Sequence, residues 1–104
     1  MFGTIAKMKF KPGQVEKMQE TMKEFEDGPP SKGFLFTAVY RSQSEPDVIW
    51  LTVGFEDEAS YRANAADPRT DKMAKQMQEM MAAPPEWHDG EIVTMTRAED
   101  RATA

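Results

Sequence analysis

The chain contains no cysteine and a single histidine, His88. Without cysteine there is no disulfide framework, no thiolate nucleophile and no thiolate metal site. Carboxylates alone are left as metal ligands, and no spacing of them suggests a cage, so no bound metal is expected. Also missing is any run approaching the ~18 apolar residues that a membrane span needs. Lys7, Lys9 and Lys11 stand near the start with no apolar stretch behind them to make a leader. The expectation is a cytoplasmic protein with no membrane contact. Positive charge is short as well. The net charge is -5, whereas a phosphate backbone rewards a basic surface, so nucleic acid is not an expected partner. No Gly-rich phosphate loop and no serine-elbow motif occurs.

What is present reads as one globular domain over residues 1–97, followed by a polar tail, 98–104, expected to fray. Hydrophobic residues make up 39% of the 104, enough for a modest core. From Phe2 to Phe10 the pattern alternates, with Thr4, Ala6 and Met8 on one side and Ile5, Lys7 and Lys9 on the other. Lys11-Pro12-Gly13 ends that strand. Val15, Met18, Met22 and Phe25 then recur at helical spacing until Gly28-Pro29-Pro30 stops the helix. A second strand over Gly33–Arg41 and a third over Val48–Phe55 form a hairpin around the polar turn Ser42–Asp47. Helical stretches over Glu56–Ala66 and Arg69–Met81 are parted by Asp67-Pro68, and a last strand is expected from about Gly90 to Arg97. Strand, helix, strand, strand, helix, strand is the order of an α+β ferredoxin-like βαββαβ sandwich.

In such a fold the helices cover one face of the sheet, and the other should be polar in a monomer. Here both faces carry apolar residues. Ile49, Leu51, Val53 and Phe55 oppose Val48 and Trp50 on the third strand, and Phe34, Phe36 and Tyr40 oppose Leu35 and Val39 on the second. Leaving a large apolar side chain in water forgoes roughly 1.5–3 kcal/mol. A row of them rivals the ~5–15 kcal/mol stability of a whole domain. No spare element in the chain covers that face, so a second copy is expected, packed sheet to sheet as a homodimeric barrel.

The chain resembles the antibiotic biosynthesis monooxygenase-like proteins of the dimeric α/β-barrel superfamily. The likeness is carried by Gly33-Phe34, by Val53-Gly54-Phe55-Glu56-Asp57-Glu58-Ala59, by Tyr61-Arg62-Ala63-Asn64 and Asp67-Pro68, and by Pro85-Glu86-Trp87-His88-Asp89-Gly90-Glu91. It covers about residues 2–97. The resemblance implies a pocket between sheet and helices in each protomer that takes a small aromatic or polycyclic phenolic substrate. Some relatives add oxygen to it with no metal, flavin or other cofactor. The protein then supplies a base, an apolar pocket and donors that stabilise the anion. The alternative is a non-catalytic dimer of the same fold that binds a small hydrophobic ligand or assists a pathway enzyme. Heme-degrading members of the superfamily use an asparagine, a tryptophan and a histidine whose positions fall near Ala6, Asn64 and Ala74. None of these positions holds the residue that the mechanism requires of it, so heme degradation is not expected.

Several residues stand out as candidates. His88 alone has an ordinary pKa suited to proton exchange near neutrality, which makes it a candidate general base. Its flanks, Pro84-Pro85 and Asp89-Gly90, favour instead a side chain that marks a strand entrance or a dimer contact. Tyr61 and Asn64 are three apart on one helix face, where they either orient a phenolate or stay solvated. Trp50 either stacks on an aromatic substrate or fills the core, and the core is favoured. Arg41 either binds an anion or remains solvated. Met73, Met77 and Met81 read first as core and second as a pliable pocket wall.

Overall fold

The computed structural model describes residues 1–101. Its strands are β1 (Phe2–Lys9), β2 (Phe34–Arg41), β3 (Val48–Phe55) and β4 (Glu86–Glu91). Its helices are α1 (Val15–Glu26), α2 (Glu58–Ala66), α3 (Pro68–Met80) and a single turn, α4 (Ala98–Arg101). The sheet runs β2-β3-β1-β4 with every neighbouring pair antiparallel. This is the expected ferredoxin-like α+β sandwich, with its second helical segment broken in two. The break is local chemistry. The Asp67 carboxylate accepts from the Arg69 backbone N–H at 2.8 Å, and Pro68 opens α3. Asp57 caps α2 in the same way, accepting from the Ser60 N–H at 2.7 Å.

Alternation along β1 sets the layers. Thr4, Ala6 and Met8 are buried, while Ile5 and Lys9 are exposed. Ala6 pairs with Leu51 and Met8 with Ile49, so the row Ile49, Leu51, Val53 and Phe55 joins them on the helix side. Val15 and Met18 of α1 and Met77 and Met80 of α3 close over that row, and Phe10 and Met81 pair at one end. The result is a core rich in methionine, whose unbranched side chains fill irregular gaps.

Three expectations need correction. The last strand begins earlier than expected, at Glu86 rather than near Gly90. His88 therefore lies within β4, paired with Ile5, and Asp89-Gly90 is extended, paired with Thr4 and Gly3. All six residues of β4 are exposed, so the free edge of β1, not burial of side chains, determines this pairing. Second, Phe34 does not share a face with Phe36. The pairing shifts between them, Phe34 with Phe55 and Phe36 with Gly54, which leaves Leu35 as an extra residue. Phe34 thus turns to the helix side, and the Phe36 ring lies where a side chain on Gly54 would otherwise stand. Third, Trp50 is not core. It stands on the open face, 38% exposed, with the Lys7 ammonium 5.7 Å from its ring centroid. The polar tail falls partly outside the described residues; Ala98–Arg101 forms α4, and Arg97 donates its N–H to the Asp100 carboxylate at 3.1 Å.

The register places Ile5, Phe36, Ala38, Tyr40 and Trp50 together on the face away from the helices. Ile5 is 51% and Tyr40 61% exposed. Among the described residues no helix is long and apolar enough to cross a membrane.

Candidate functional site

The helices do not close fully on the sheet. Between α1, α2 and α3 on one side and β2 and β3 on the other lies a cavity of about 470 Å³, within the range usual for small-molecule sites. Its floor is Leu51, Val53 and Phe55 of β3 with Thr37 of β2. Met22 and Phe25 of α1 and Met73 of α3 form the walls. The rim is the α1–β2 turn, Gly28 to Ser31, together with Glu26 and the exposed ring of Phe34. The bulge at Leu35 brings Phe34 to this rim, where its ring meets that of Phe55 edge-on at 5.8 Å.

Arg69, at the start of α3, holds the rim in place. Its guanidinium donates to the Pro29 carbonyl at 3.0 Å and to the Phe25 carbonyl, and it lies 4.5 Å from the Phe25 ring centroid. Gly28 leaves room for it, since a side chain there would occupy the guanidinium's place.

The polar groups of the cavity are few. Asn64 projects from α2, and its Oδ1 accepts from the Ser31 hydroxyl at 2.6 Å and the Thr70 hydroxyl at 3.2 Å. These two donors fix the amide's orientation and leave its NH2 as a donor. No described residue accepts from it. Glu26 is the only ionisable side chain among the lining residues. Aromatic and thioether surface with one amide donor and one carboxylate can hold a flat, largely apolar molecule bearing an oxygen at one end.

Of the candidates read from the sequence, the structure brings Asn64 and Met73 to this cavity, while Met77 borders a smaller space behind it. Tyr61 turns away from the cavity towards β4. Its hydroxyl donates to the Asp89 carboxylate at 2.8 Å, and its ring packs on Phe2 and Phe55 at 5.3 and 5.9 Å. Burial, followed by this hydrogen bond, pushes the Tyr61 hydroxyl above its ordinary pKa of 10.0. Asp89 is held below its ordinary 3.8, first by the Tyr61 hydroxyl and also by Arg62, whose guanidinium lies 3.2 Å away. His88 and Trp50 lie on the open face of the sheet, and Met81 is buried at the end of α3. Arg41 pairs with Glu16 at 3.3 Å and donates to the Pro46 carbonyl at 2.8 Å, outside the cavity. Glu26, Ser31 and Thr70 were not singled out from the sequence. Glu26 looks like any other charge on α1, and only the fold brings the two hydroxyls to Asn64. Among the described residues no group of His, Cys, Asp or Glu side chains is placed to hold a metal ion.

Comparison with known proteins agrees with this architecture. A structure from Chloroflexus aurantiacus J-10-fl, a candidate antibiotic biosynthesis monooxygenase, superposes with a TM-score of 0.78 at 25% identity, covering 92% of this chain and 96% of that one. One from Caulobacter crescentus CB15, described in the same way, gives 0.80 at 16% identity, covering 89% and 90%. A conserved protein from Methanosarcina mazei Go1 gives 0.78 at 18% identity, covering 86% and 89%. These low identities show a shared fold. No curated protein matches the sequence significantly. The sequence profile described as antibiotic biosynthesis monooxygenase matches residues 1–76. The chain therefore belongs to the antibiotic biosynthesis monooxygenase family.

Proposed function

We propose that the protein is a cofactor-independent monooxygenase whose substrate, a small aromatic or polycyclic phenol, binds in the cavity between sheet and helices. The observation that carries this reading is the composition of that cavity. It is walled by Phe25, Phe34, Phe55, Met22 and Met73, and an oriented amide, Asn64, and one carboxylate, Glu26, are among its lining residues. In this reading Glu26 accepts the phenolic proton and the Asn64 NH2 stabilises the anion. The electron-rich anion reduces O2. One oxygen atom enters a ring carbon as a carbonyl, and the other leaves as water with that carbon's one hydrogen and the phenolic proton, so the phenol becomes a quinone. Electrons then balance without an external reductant, which is why no flavin or metal is required.

His88, set in β4 on the opposite face of the sheet, belongs in this reading to the contact between protomers rather than to proton transfer. The same holds for Trp50, Ile5 and Tyr40, which present an apolar patch that a second copy would cover as a homodimer.

Oxygen uptake with a panel of dihydroxyanthracene-type phenols tests the function. Turnover is expected in the wild type, with a ~10–100-fold loss in Asn64→Leu and in Glu26→Gln, and little change in His88→Ala. A His88→Ala protein that is inactive yet melts like the wild type would assign the base to His88 instead. A second reading has its own support, because Tyr61, Trp50, Arg41 and His88 all lie away from the cavity. That leaves a binding site with little chemistry, as in a non-catalytic ligand-binding dimer. Tight phenol binding without oxygen uptake would favour it.

A further inference from the structure

Behind the main cavity lies a second space of about 110 Å³. Its walls are almost wholly apolar, among them Met8, Ile49, Met77, Pro85 and Trp87. Met22, Leu51, Thr70 and Met73 border both spaces, so only side chains separate the two. Leu51 is held on the central strand β3, and the Thr70 hydroxyl is bonded to Asn64. Met22 and Met73 are only partly buried, and their unbranched side chains, with three rotatable bonds each, can swing at little cost. The inner space is smaller than the ~150 Å³ apolar cavity known to admit benzene. It suits a short alkyl arm better than a further ring.

We infer that the two spaces are one binding channel gated by Met22 and Met73, and that the ligand is a phenol carrying a short apolar arm. The phenolic oxygen sits at the Asn64 amide, and the arm passes between the two methionines into the inner chamber towards Trp87. Met73 thereby determines the length of ligand that the protein accepts. This inference rests on the reading above that the outer cavity holds a phenolic ring, but it does not depend on oxygen chemistry.

The test is calorimetric binding of phenol and of 4-alkylphenols from methyl to hexyl. In the wild type each added methylene should raise affinity about fourfold at most until the inner chamber is full, after which the gain stops. Trp87 emission should shift to the blue only with the arms long enough to reach it, and the shift should vanish in Trp87→Phe. Met73→Ala should extend the rise by one or two methylenes, and Met73→Trp should stop it at once, each read as the gain per methylene over that variant's own affinity for phenol. The same chain-length dependence in all three proteins, or a Trp87 emission that no arm moves, would overturn the inference. If neither phenol nor any homologue binds, it falls together with the reading it rests on. If the alkylphenols bind as expected and no phenol is oxidised, only the oxygenase reading fails.

Discussion

Tyr61 and Asn64 stand three residues apart on α2, and each engages a different neighbour. Asn64 meets Ser31 and Thr70 at the cavity, whereas Tyr61 and Arg62 fasten α2 to β4 through Asp89. That fastening has a pH signature. The Asp89 carboxyl titrates below its ordinary 3.8 in the fold, so its contribution is fully present above that value and is lost as pH falls through the folded pKa. Tyr61 is raised above 10.0, so its contribution is present below pH 10 and is lost as pH rises further. Tyr61→Phe should therefore cost about 1 kcal/mol at pH 7, and the gap to the wild type should be smaller at a pH well below 3.8, once Asp89 has taken a proton. Urea melts at both pH values measure it. An unchanged gap would show that the charge on Asp89 contributes nothing to the bond. The helical spacing of these two residues was legible in the sequence. Their separate partners were not, because each partner is supplied by an element distant in the chain.

Strand and helix limits followed local chemistry closely wherever glycine, proline or a capping aspartate marked them, as at Gly28-Pro29-Pro30 and Asp67-Pro68. Two features escaped. The bulge at Leu35 moves Phe34 to the cavity rim, and no residue type announces it. β4 lies at Glu86–Glu91, where a stretch without apolar alternation pairs through its backbone alone. The entry to β2 is equally constrained. Gly33 has a φ of +79°, its carbonyl accepts from the Glu56 N–H at 2.8 Å, and a side chain there would come within 2.5 Å of the Ser60 Oγ. Gly33→Ala is expected to destabilise the protein by roughly 1–2 kcal/mol through the left-handed backbone alone. It should also loosen the turn that rims the cavity. A loss below ~0.5 kcal/mol in denaturant titration would show that the turn relaxes freely.

The assembly is where the two faces of the sheet matter. One face is covered by helices; the other carries Ile5, Tyr40 and Trp50 open to water and Phe36 half-buried, with Lys7 and His88 beside them. The row Ile49, Leu51, Val53 and Phe55 lies on the covered face, so a charge at Leu51 would disrupt the cavity floor and not a contact between copies. Trp50→Glu and Ile5→Glu are the substitutions that address the open face. Sedimentation should show a dimer for the wild type at micromolar concentration and a shift to monomer in both variants, with the fold retained. A wild-type monomer at that concentration would end the dimer proposal.

Element order, the breaks between elements and the face that each residue of β1 takes follow from the sequence by itself. They depend on local propensity and on periods of two and 3.6 residues, which neighbours along the chain suffice to express. Tertiary structure alone decided that Phe34 and Phe36 part company at a bulge and that His88 lies within a strand on the open face. It alone set Ser31 and Thr70 against Asn64 and brought Glu26 to the same cavity. These are contacts across the sheet and between helices, made by residues far apart in the chain, and periodicity holds no record of which distant side chains will meet.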